Sequence, residues 1–509
     1  MAALPKEIQY NKPMASLPMD TQMNNTIVHP SNGANFKANG NIITFDLPTH
    51  SMLVPSSLVL NGIIKITPSP ETQTLIAGQP AASWIQRVET LVGGTSIDSI
   101  SDYGRLYNMI SQTKIDYATK AGLMTELAVN CDGLDAAAPA EGDGNLNENL
   151  TGNAMGDPTF VNLNGRRGPS FTPANNDPSI TKADATAAIT KADAVEGEFA
   201  FSLPLGCMLS SCAELIPLSL MGGVRIRITT AQLSSYVRTV IATKDATPDI
   251  TGFTETGATA PVFDFSELEL NFDLVDFGEG FDGVVKSMAD PNGDLVLRSE
   301  GWNVMNVPID LNSSTANNTY LYNVRLSSIK SLVLQGTGEA RNDSIIPAYQ
   351  AVQVAGVSGS TQFFVANRPF PPSPLDESNV AAVMSSLRQC FGEAHDVYST
   401  RIAIPDKQYT TLATVGTALP ALGVATDPVS DNQMSVSVFE PASHFVGVNT
   451  EKLSTNAVMM SGESSQLSPI EVLLNQSTPT KAAGTLTLYT CYDSLLAINV
   501  RSRGINVRV

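Results

Sequence analysis

The chain has 509 residues, of which 42% are hydrophobic and only 16% are charged, and its net charge is −19. This length exceeds one ordinary domain core and predicts two or three domains. The hydrophobic fraction excludes global disorder, and the acidic balance argues against a broad basic face for sequence-specific nucleic acid binding. The 37 glycines and 31 prolines favour short strands joined by turns over long helices.

The first half of the chain predicts an N-terminal arm followed by strands. Residues 1–32 are rich in Met, Pro and Asn and are expected to form an extended arm. A short helix is expected over residues 103–110, because Leu106, Met109 and Ile110 share one helical face. Apolar runs or alternation between turn residues predict strands at 41–47, 57–67, 83–92, 96–100, 197–204, 215–220, 223–230 and 262–275.

A polar insertion interrupts this series at residues 131–196, which are rich in Asp, Asn, Gly and Ala. The sequence Ile-Thr-Lys-Ala-Asp-Ala occurs twice within it, at 180–185 and 189–194. A segment this long and polar predicts an exposed excursion between two strands. A disordered loop and a compact tower are both compatible with it, and the repeated Ile and Thr favour the tower because they suit a small hairpin.

The second half repeats the same pattern after a Gly-rich boundary at 276–293, where a short helix is expected. Four prolines within 369–374 predict a turn that interrupts the strands. Residues 379–391 have helical spacing. Strands are predicted at 295–298, 320–326, 331–335, 362–366, 434–439, 469–474 and 484–496. The fold class is therefore all-β, with two tandem eight-stranded β-sandwiches at 33–280 and 281–509, short helices and one long insertion.

Cysteine and histidine give no pattern of a metal or disulfide site. The five cysteines are scattered and odd in number, which predicts neither a disulfide framework nor zinc and favours a reducing compartment: Cys131, Cys207, Cys212, Cys390 and Cys491. Only one of the four histidines lies near a cysteine, and the set is His29, His50, His395 and His444. His395, between Glu393 and Asp396, could act as a general base, but a surface histidine is the favoured interpretation. No signal-peptide core or apolar membrane span is found in the sequence.

The other polar candidates are also weak. Ser210 and Ser211 lack the Gly-x-Ser-x-Gly pattern of a hydrolase nucleophile. Asp98 and Asp102, together with the acidic stretch 143–148, leave open a calcium ion at a subunit contact. Two further segments have competing interpretations: Arg501, Arg503 and Arg508 as a basic patch or a solvated, interface-forming tail, and residues 363–372 as a ligand groove or a strand with one ring in the core. We predict no catalytic, cofactor-binding or metal-binding residue, and no enzyme.

A resemblance to a known family is spread over most of the chain. In the first half it lies in 84–94 (WIQRVETLVGG) with 97–103, in 201–206 (FSLPLG) and in 215–228 (LIPLSLMGGVRIRI), and in the second half in 327–333, 363–375 and 489–498. In these stretches the chain resembles the double jelly-roll major capsid proteins of icosahedral double-stranded DNA viruses. This lineage includes adenoviruses, tailless phages, giant viruses, virophages and polinton-like viruses.

The resemblance implies a major capsid protein that self-assembles into pseudo-hexagonal homotrimers, since three chains of two sandwiches give six similar units. Its implied partners are other copies of itself, neighbouring capsomers, and penton and minor capsid proteins, and its implied location is the virion after assembly inside the host cell. An internal membrane, reached through minor proteins, is left open. The alternatives are a secreted or surface β-sandwich binding protein of the carbohydrate-binding or adhesin type, and a polysaccharide-degrading enzyme with paired carboxylates.

Overall fold

The structure is a computed structural model. It describes residues 21–67, 73–76, 80–114, 161–162, 166–167, 170–171, 197–212, 214–244, 250–255, 262–278, 281–309, 317–338, 351–352, 359–377, 379–391, 445–452, 460–475 and 483–508. Antiparallel strands dominate these ranges and fall into two groups, one in each half of the chain.

The first group is a sandwich of two sheets. Its eight principal strands are β1 Gln22–Val28, β2 Ile42–Asp46, β3 Val59–Thr67, β4 Ile85–Val92, β5 Thr95–Ser101, β6 Gly197–Pro204, β7 Val224–Thr230 and β8 Val262–Asp276. Sheet A has the order β1-β8-β3-β6, because β1 and β3 lie on opposite sides of β8 and both pair with Leu270. Sheet B has the order β2-β7-β4-β5.

The second group repeats this arrangement. Its strands are β9 Asp294–Pro308, β10 Asn317–Tyr322, β11 Ile329–Gly338, β12 Ser360–Val365, β13 Arg368–Asp376, β14 Phe445–Asn449, β15 Ile470–Asn475 and β16 Ala483–Asn499. Sheet C has the order β9-β16-β11-β14, and sheet D has the order β10-β15-β12-β13. Counted within its own sandwich, each group therefore has the strand order 1-8-3-6 facing 2-7-4-5. This order defines a jelly roll, and it occurs twice.

The described residues contain few helices, and two of these occupy equivalent places. Helix α1 (Tyr103–Lys114) follows β5, and α3 (Val380–Cys390) follows β13, so each comes after the fifth strand of its sandwich. Helix α2 (Phe281–Ser287) lies between the two sandwiches along the chain, and one further helical turn spans Pro80–Ser83. Short 3-10 turns lie at Pro55–Ser57, Leu218–Leu220 and Leu233–Ser235. The remaining short strands are Phe36–Lys37, Met52–Leu53, Gln73–Ile76, Val161–Asn162, Arg166–Arg167, Ser170–Phe171, Ile216–Pro217, Val237–Lys244, Ile250–Glu255, Ala351–Val352 and Ile505–Arg508.

The core of the first sandwich follows from alternation along its strands. In β8, Leu270, Phe272 and Leu274 point inward and are almost fully buried, while the residues between them are partly exposed. Trp84 stacks on Phe265, with ring centroids 4.5 Å apart, and its indole N–H donates to a backbone carbonyl. Full burial of a large apolar side chain stabilises a fold by about 1.5–3 kcal/mol. The period-2 pattern of the sequence therefore places this core correctly.

The ordered strands begin earlier than the sequence predicted. Residues 22–28, within the expected arm, form β1 and pair along the whole end of β8, whereas residues 1–20 lie outside the described part. The insertion is represented by three short strand pieces. Its residues 170–171 pair with Leu75 and Thr74. The tandem repeat at 180–194 lies outside the described residues.

Two predicted elements are different in the structure. The proline-rich segment 369–374 was expected to form a turn. It lies within strand β13 and contains a cis Phe370–Pro371 bond. Proline is tolerated there because β13 is the edge of sheet D and pairs only with β12 among the described strands. Residues 218–220 form a 3-10 turn after a two-residue strand, rather than the strand predicted over 215–220. The predicted strand 434–439 lies outside the described residues.

Candidate assembly site at the seam between the two sandwiches

The two sandwiches meet along a seam, which we define as the contact of β5, α1, residues 206–212 and Glu214 with β9 and β16. The loop after β6 forms one wall of the seam and is held by two hydrogen bonds. Met208 N–H donates to Asp98 Oδ2 over 2.9 Å, and Gly206 N–H donates to the Tyr103 hydroxyl over 2.8 Å. Burial raises the pKa of Asp98 to about 6, although hydrogen bonds from the backbone N–H groups of Met208 and Ser99 oppose the shift. A buried carboxyl therefore fixes this loop on β5.

The loop then closes the free edge of β9. The Ser211 hydroxyl donates to the Glu300 carbonyl over 2.6 Å, and Glu300 N–H donates to the same hydroxyl oxygen over 2.9 Å. Arg298 N–H, two residues away, donates to Glu214 Oε2 over 3.4 Å. Unpaired backbone groups of an edge strand invite pairing with another chain. Here side chains from the first sandwich occupy them instead of a neighbouring strand.

A second group of hydrogen bonds ties the start of α1 to the far end of β9. Asp102 accepts from Asn306 Nδ2 over 2.9 Å and from Gln86 Nε2 over 2.6 Å. Asn306 Oδ1 in turn accepts from the Thr487 hydroxyl over 2.7 Å and from Arg105 over 3.4 Å, and Arg105 also donates to Thr487. A polar network with its members mutually bonded favours one geometry over others. It therefore fixes the orientation of one sandwich relative to the other.

The second sandwich supports the seam from its own side. Lys330 on β11 bonds Glu300, and this partner keeps the pKa of Lys330 above its usual value although burial acts to lower it. Asp493 on β16 is completely buried and accepts from the Ser328 hydroxyl over 2.8 Å, while Arg298 lies 3.7 Å from its other oxygen. The outward residues of β9 thus have charged partners on both sides of the seam.

Packing beneath the seam depends on one glycine. Gly301 in β9 pairs with Tyr492 in β16, and the tyrosine ring covers the place where a Cβ would stand. Burial raises the pKa of Tyr492 above its ordinary range. A side chain at position 301 would therefore have to displace this ring.

The candidate nucleophiles of the sequence have structural roles. Ser210 closes a turn, accepting from Cys207 N–H over 2.9 Å and donating to the Cys207 carbonyl over 2.8 Å. Cys390 is the last residue of α3, where its thiol donates to the Ser386 carbonyl one turn earlier and burial raises its pKa. Among the described residues, Cys207, Cys212, Cys390 and Cys491 form no disulfide bond. Cys131 and the region of His395, Glu393 and Asp396 lie outside the described residues.

The metal and basic-patch candidates are separated in the fold. Asp98 and Asp102 each accept from protein donors, and no cluster of three His, Cys, Asp or Glu side chains suited to a metal occurs in the part of the chain that the structure describes. The acidic stretch 143–148 lies outside that part. Arg508 belongs to strand Ile505–Arg508, which pairs with β16, whereas Arg501 and Arg503 lie in the turn before it. The C-terminal arginines thus belong to a paired strand and its turn.

The histidines and aromatic rings are also dispersed. His50 and Arg503 line a polar groove of about 830 Å³, with Asp282 accepting from Ser219 at its rim. His29 lines a smaller cleft of about 550 Å³, and His444 lies outside the described residues. Phe363 is buried in the core while Phe364 is half-buried, which agrees with a strand that has one ring on each face. No described helix has the length and apolarity required to cross a membrane.

Sequence reasoning missed the seam. Its main residues are Ser211, Glu214, Arg105, Glu300 and Asn306, and no spacing in the chain connects them. The partners lie 84 to 382 residues apart in sequence. One signal in the sequence pointed to a seam residue. Asp102 comes directly before the predicted helix, and an Asp at this position favours a hydrogen-bonding role for its side chain.

Comparison with known proteins identifies the fold as that of the double jelly-roll major capsid proteins. No protein family model matches the sequence, and no curated protein does. The PBCV-1 virus capsid structure aligns with 98% of this chain and 99% of its own, at a TM-score of 0.51 and 10% identity. The Sputnik virophage structure aligns with 100% and 93%, at 0.51 and 12%, and the Faustovirus major capsid protein with 100% and 93%, at 0.50 and 11%. The resemblance predicted from sequence is confirmed at the level of the fold.

Proposed function

We propose that this chain is a major capsid protein that self-assembles into pseudo-hexagonal homotrimeric capsomers of an icosahedral virus shell. One observation carries the proposal: the jelly-roll strand order occurs twice in tandem, and structures of viral capsid proteins share it over nearly their whole length. Three such chains present six similar sandwiches around one axis, which suits a hexagonal lattice. The virion is accordingly the proposed location.

The proposed units are those expected from the sequence, an N-terminal arm at 1–32, a first jelly roll at 33–280 and a second at 281–509, except that β1 (Gln22–Val28) leaves the arm and joins sheet A of the first jelly roll. Strands β1–β8 pair among themselves, as do β9–β16, and the segment between them includes α2. The seam supports a structural role because its many side-chain bonds hold the two units as one block. Neighbouring capsomers, penton proteins and minor capsid proteins are the proposed partners, and no catalytic role is proposed.

The oligomeric state tests this proposal. We expect the purified chain to elute as a single species with three times its 53.9 kDa mass in size exclusion with light scattering. Electron micrographs of the same fraction should show particles with a hexagonal outline, or closed shells. A monodisperse monomer at micromolar concentration would contradict the proposal and return attention to a β-sandwich binding protein.

A further inference from the structure

The polar groove of about 830 Å³ at one end of the first sandwich combines the guanidinium of Arg503 with the imidazole of His50. These two groups are donors suited to an oxyanion. We infer that the groove binds a protonated phosphate group, carried either by a free phosphate ion or by the phosphate monoester headgroup of a lipid. The inference goes beyond the proposed function and does not depend on the oligomeric state.

The walls of the groove come from both sandwiches. Residues 49–52 connect β2 with β3, residues 219–223 belong to the connection from β6 to β7, and residues 275–278 include the end of β8. Arg503, in the turn after β16, completes the groove. Consecutive strands of a jelly roll run in opposite directions, so these parts lie at the end of the sandwich away from the connection that contains the insertion at 131–196.

The walls are held against one another before any ligand binds. Leu218 N–H donates to the Ser51 carbonyl over 3.2 Å, which joins two of the connections. A Cβ at Gly222 would stand 3.3 Å from the Arg503 carbonyl oxygen, so this glycine allows the turn of the second sandwich to approach the first closely. A site formed in advance loses less free energy to ordering when a ligand binds.

Two residues of the groove have a strained backbone. Ser51 and Arg503 have φ angles of +64° and +55°, a region that side chains other than Asn and Asp rarely adopt. The turn keeps this conformation because Arg503 N–H donates to the Asn499 carbonyl over 2.8 Å. Glycine would adopt it without strain. Strain of this kind concentrates at ligand sites, and here the strained arginine supplies a guanidinium to a groove.

The charged groups of the groove differ in their partners. Asp282 Oδ1 accepts from the Ser219 hydroxyl over 2.9 Å, and Asp276 Oδ1 accepts from Gly278 N–H over 2.9 Å. The Arg503 guanidinium forms no ion pair with any residue that the structure describes. Both carboxylates are therefore engaged with the protein, and the arginine is the charged group available to an anion.

The mixture of charges selects the kind of anion. An arginine offers two parallel N–H donors, and His50 with the hydroxyl-bearing Thr49 and Ser51 lines the same groove. Asp276 and Asp282 repel a fully ionised anion, but they can accept from the P–OH group of a protonated phosphate. Sulfate has the same shape and carries no such proton, so we expect the groove to reject it.

Calorimetric titration of the full-length chain tests the site. At about pH 6, where a phosphate monoester is still partly protonated, inorganic phosphate should bind saturably. Arg503→Gly should weaken binding at least tenfold while circular dichroism is unchanged and the melting temperature is equal or higher, because glycine relieves the strain. The matched control is Arg501→Gln in the same turn, which packs against Gly293 outside the groove and should bind within twofold of wild type. Equal losses in the two variants would overturn the inference.

Sulfate provides the selectivity test at the same pH and ionic strength. The wild-type chain should bind phosphate at least tenfold more tightly than sulfate. Asp282→Asn should reduce this ratio, because an amide can donate to sulfate and can still accept from Ser219. Equal affinities for the two anions in the wild-type chain would overturn the assignment to a protonated phosphate.

Vesicles distinguish the two sources of the phosphate group. Phosphatidylcholine is a diester and should not bind, whereas vesicles that also contain phosphatidic acid carry the monoester. Cosedimentation with the second kind, lost in Arg503→Gly and competed by inorganic phosphate, would identify a lipid headgroup. Binding of inorganic phosphate without cosedimentation would identify the free ion. Saturable binding of neither probe would overturn the inference alone, since the mass of the wild-type assembly tests the proposed function separately.

Discussion

At the scale of single residues, polar groups at the seam hold neighbouring elements together through hydrogen bonds. Asp98 is buried, and its carboxylate accepts a backbone N–H from the loop that covers β9. Its charged form is disfavoured by burial and retained by hydrogen bonds. Gly301 makes the opposite contribution, because it supplies empty space that the Tyr492 ring fills. Both residues allow two surfaces to approach closely.

Asp98 predicts a pH dependence of stability. Its folded pKa, about 6, lies above its usual 3.8, so the folded state binds the proton more tightly. The contribution of Asp98 is therefore largest below about pH 4 and is lost as the pH rises through about 6, by about 3 kcal/mol in total. We expect Asp98→Asn to melt at a higher temperature than wild type at pH 7.5. The two proteins should differ least at pH 4, and identical melting curves at both pH values would contradict the assignment.

Gly301 predicts a steric effect. Gly301→Ala should lower the free energy of unfolding by roughly 1–3 kcal/mol, because the new methyl group overlaps the Tyr492 ring. Denaturant unfolding measures the change. The matched control is Gly283→Ala in α2, where a Cβ meets nothing within 4 Å and where alanine favours the helix. Equal destabilisation by both substitutions would show that the ring is free to move.

At the scale of elements, the sheet edges are closed by side chains. The Asn32 amide donates to the Ile42 carbonyl over 2.6 Å and accepts from Thr44 N–H over 3.0 Å, which imitates a strand along the edge of β2. Ser211 does the same for β9, and prolines protect β13. Sheet edges closed in this way resist unspecific strand pairing with other chains, while their side chains can still form a specific contact.

The hydrogen bond between Asp102 and Asn306 should couple the two sandwiches. Each single substitution, Asp102→Ala or Asn306→Ala, removes this solvent-exposed bond and should lower the free energy of unfolding by about 0.5–1.5 kcal/mol. Their double-mutant cycle should show an interaction energy of about 1 kcal/mol, measured by denaturant unfolding. The control is Asn25→Ala, which removes an exposed bond to Asp273 within sheet A. Additive effects of the seam pair would mean that this bond does not join the sandwiches.

At the scale of the whole molecule, the duplicated strand order gives each chain two similar units, which is what the proposed homotrimer requires. The described residues of the insertion at 131–196 take no part in that order. Of this insertion, the described pieces pair with one another or with Gln73–Ile76, and none is a strand of sheets A to D.

Deleting most of the insertion should therefore preserve assembly. A variant in which a short Gly-Ser linker replaces residues 131–196 should keep the trimer mass in light scattering and melt within a few degrees of wild type. Its outer surface, probed with antibodies raised against the full-length protein, should change. Loss of folding on deletion would place the insertion in the core or in the contact between copies.

How far the sequence predicts this fold is clear from particular elements. The alternation in 262–275 predicted β8 almost to the residue, and the spacing in 379–391 predicted α3. Both patterns are local consequences of burying one face of one element. The turn predicted from the prolines of β13 was wrong. A proline excludes a strand only where its missing N–H would have bonded a neighbouring strand, and β13 has a neighbouring strand on one side only among the described residues.

The sequence by itself determined the all-β class, the two tandem sandwiches and most strand positions, because apolar and polar residues alternate along each strand and this alternation is visible within a few neighbouring residues. The order of strands within each sheet, the seam and its partners were decided only by the tertiary structure. Asp102 meets Asn306, and Ser211 meets Glu300, because two folded sandwiches bring together residues 204 and 89 positions apart. No local pattern encodes such a contact, since the two partners belong to different sandwiches and meet only after both have folded.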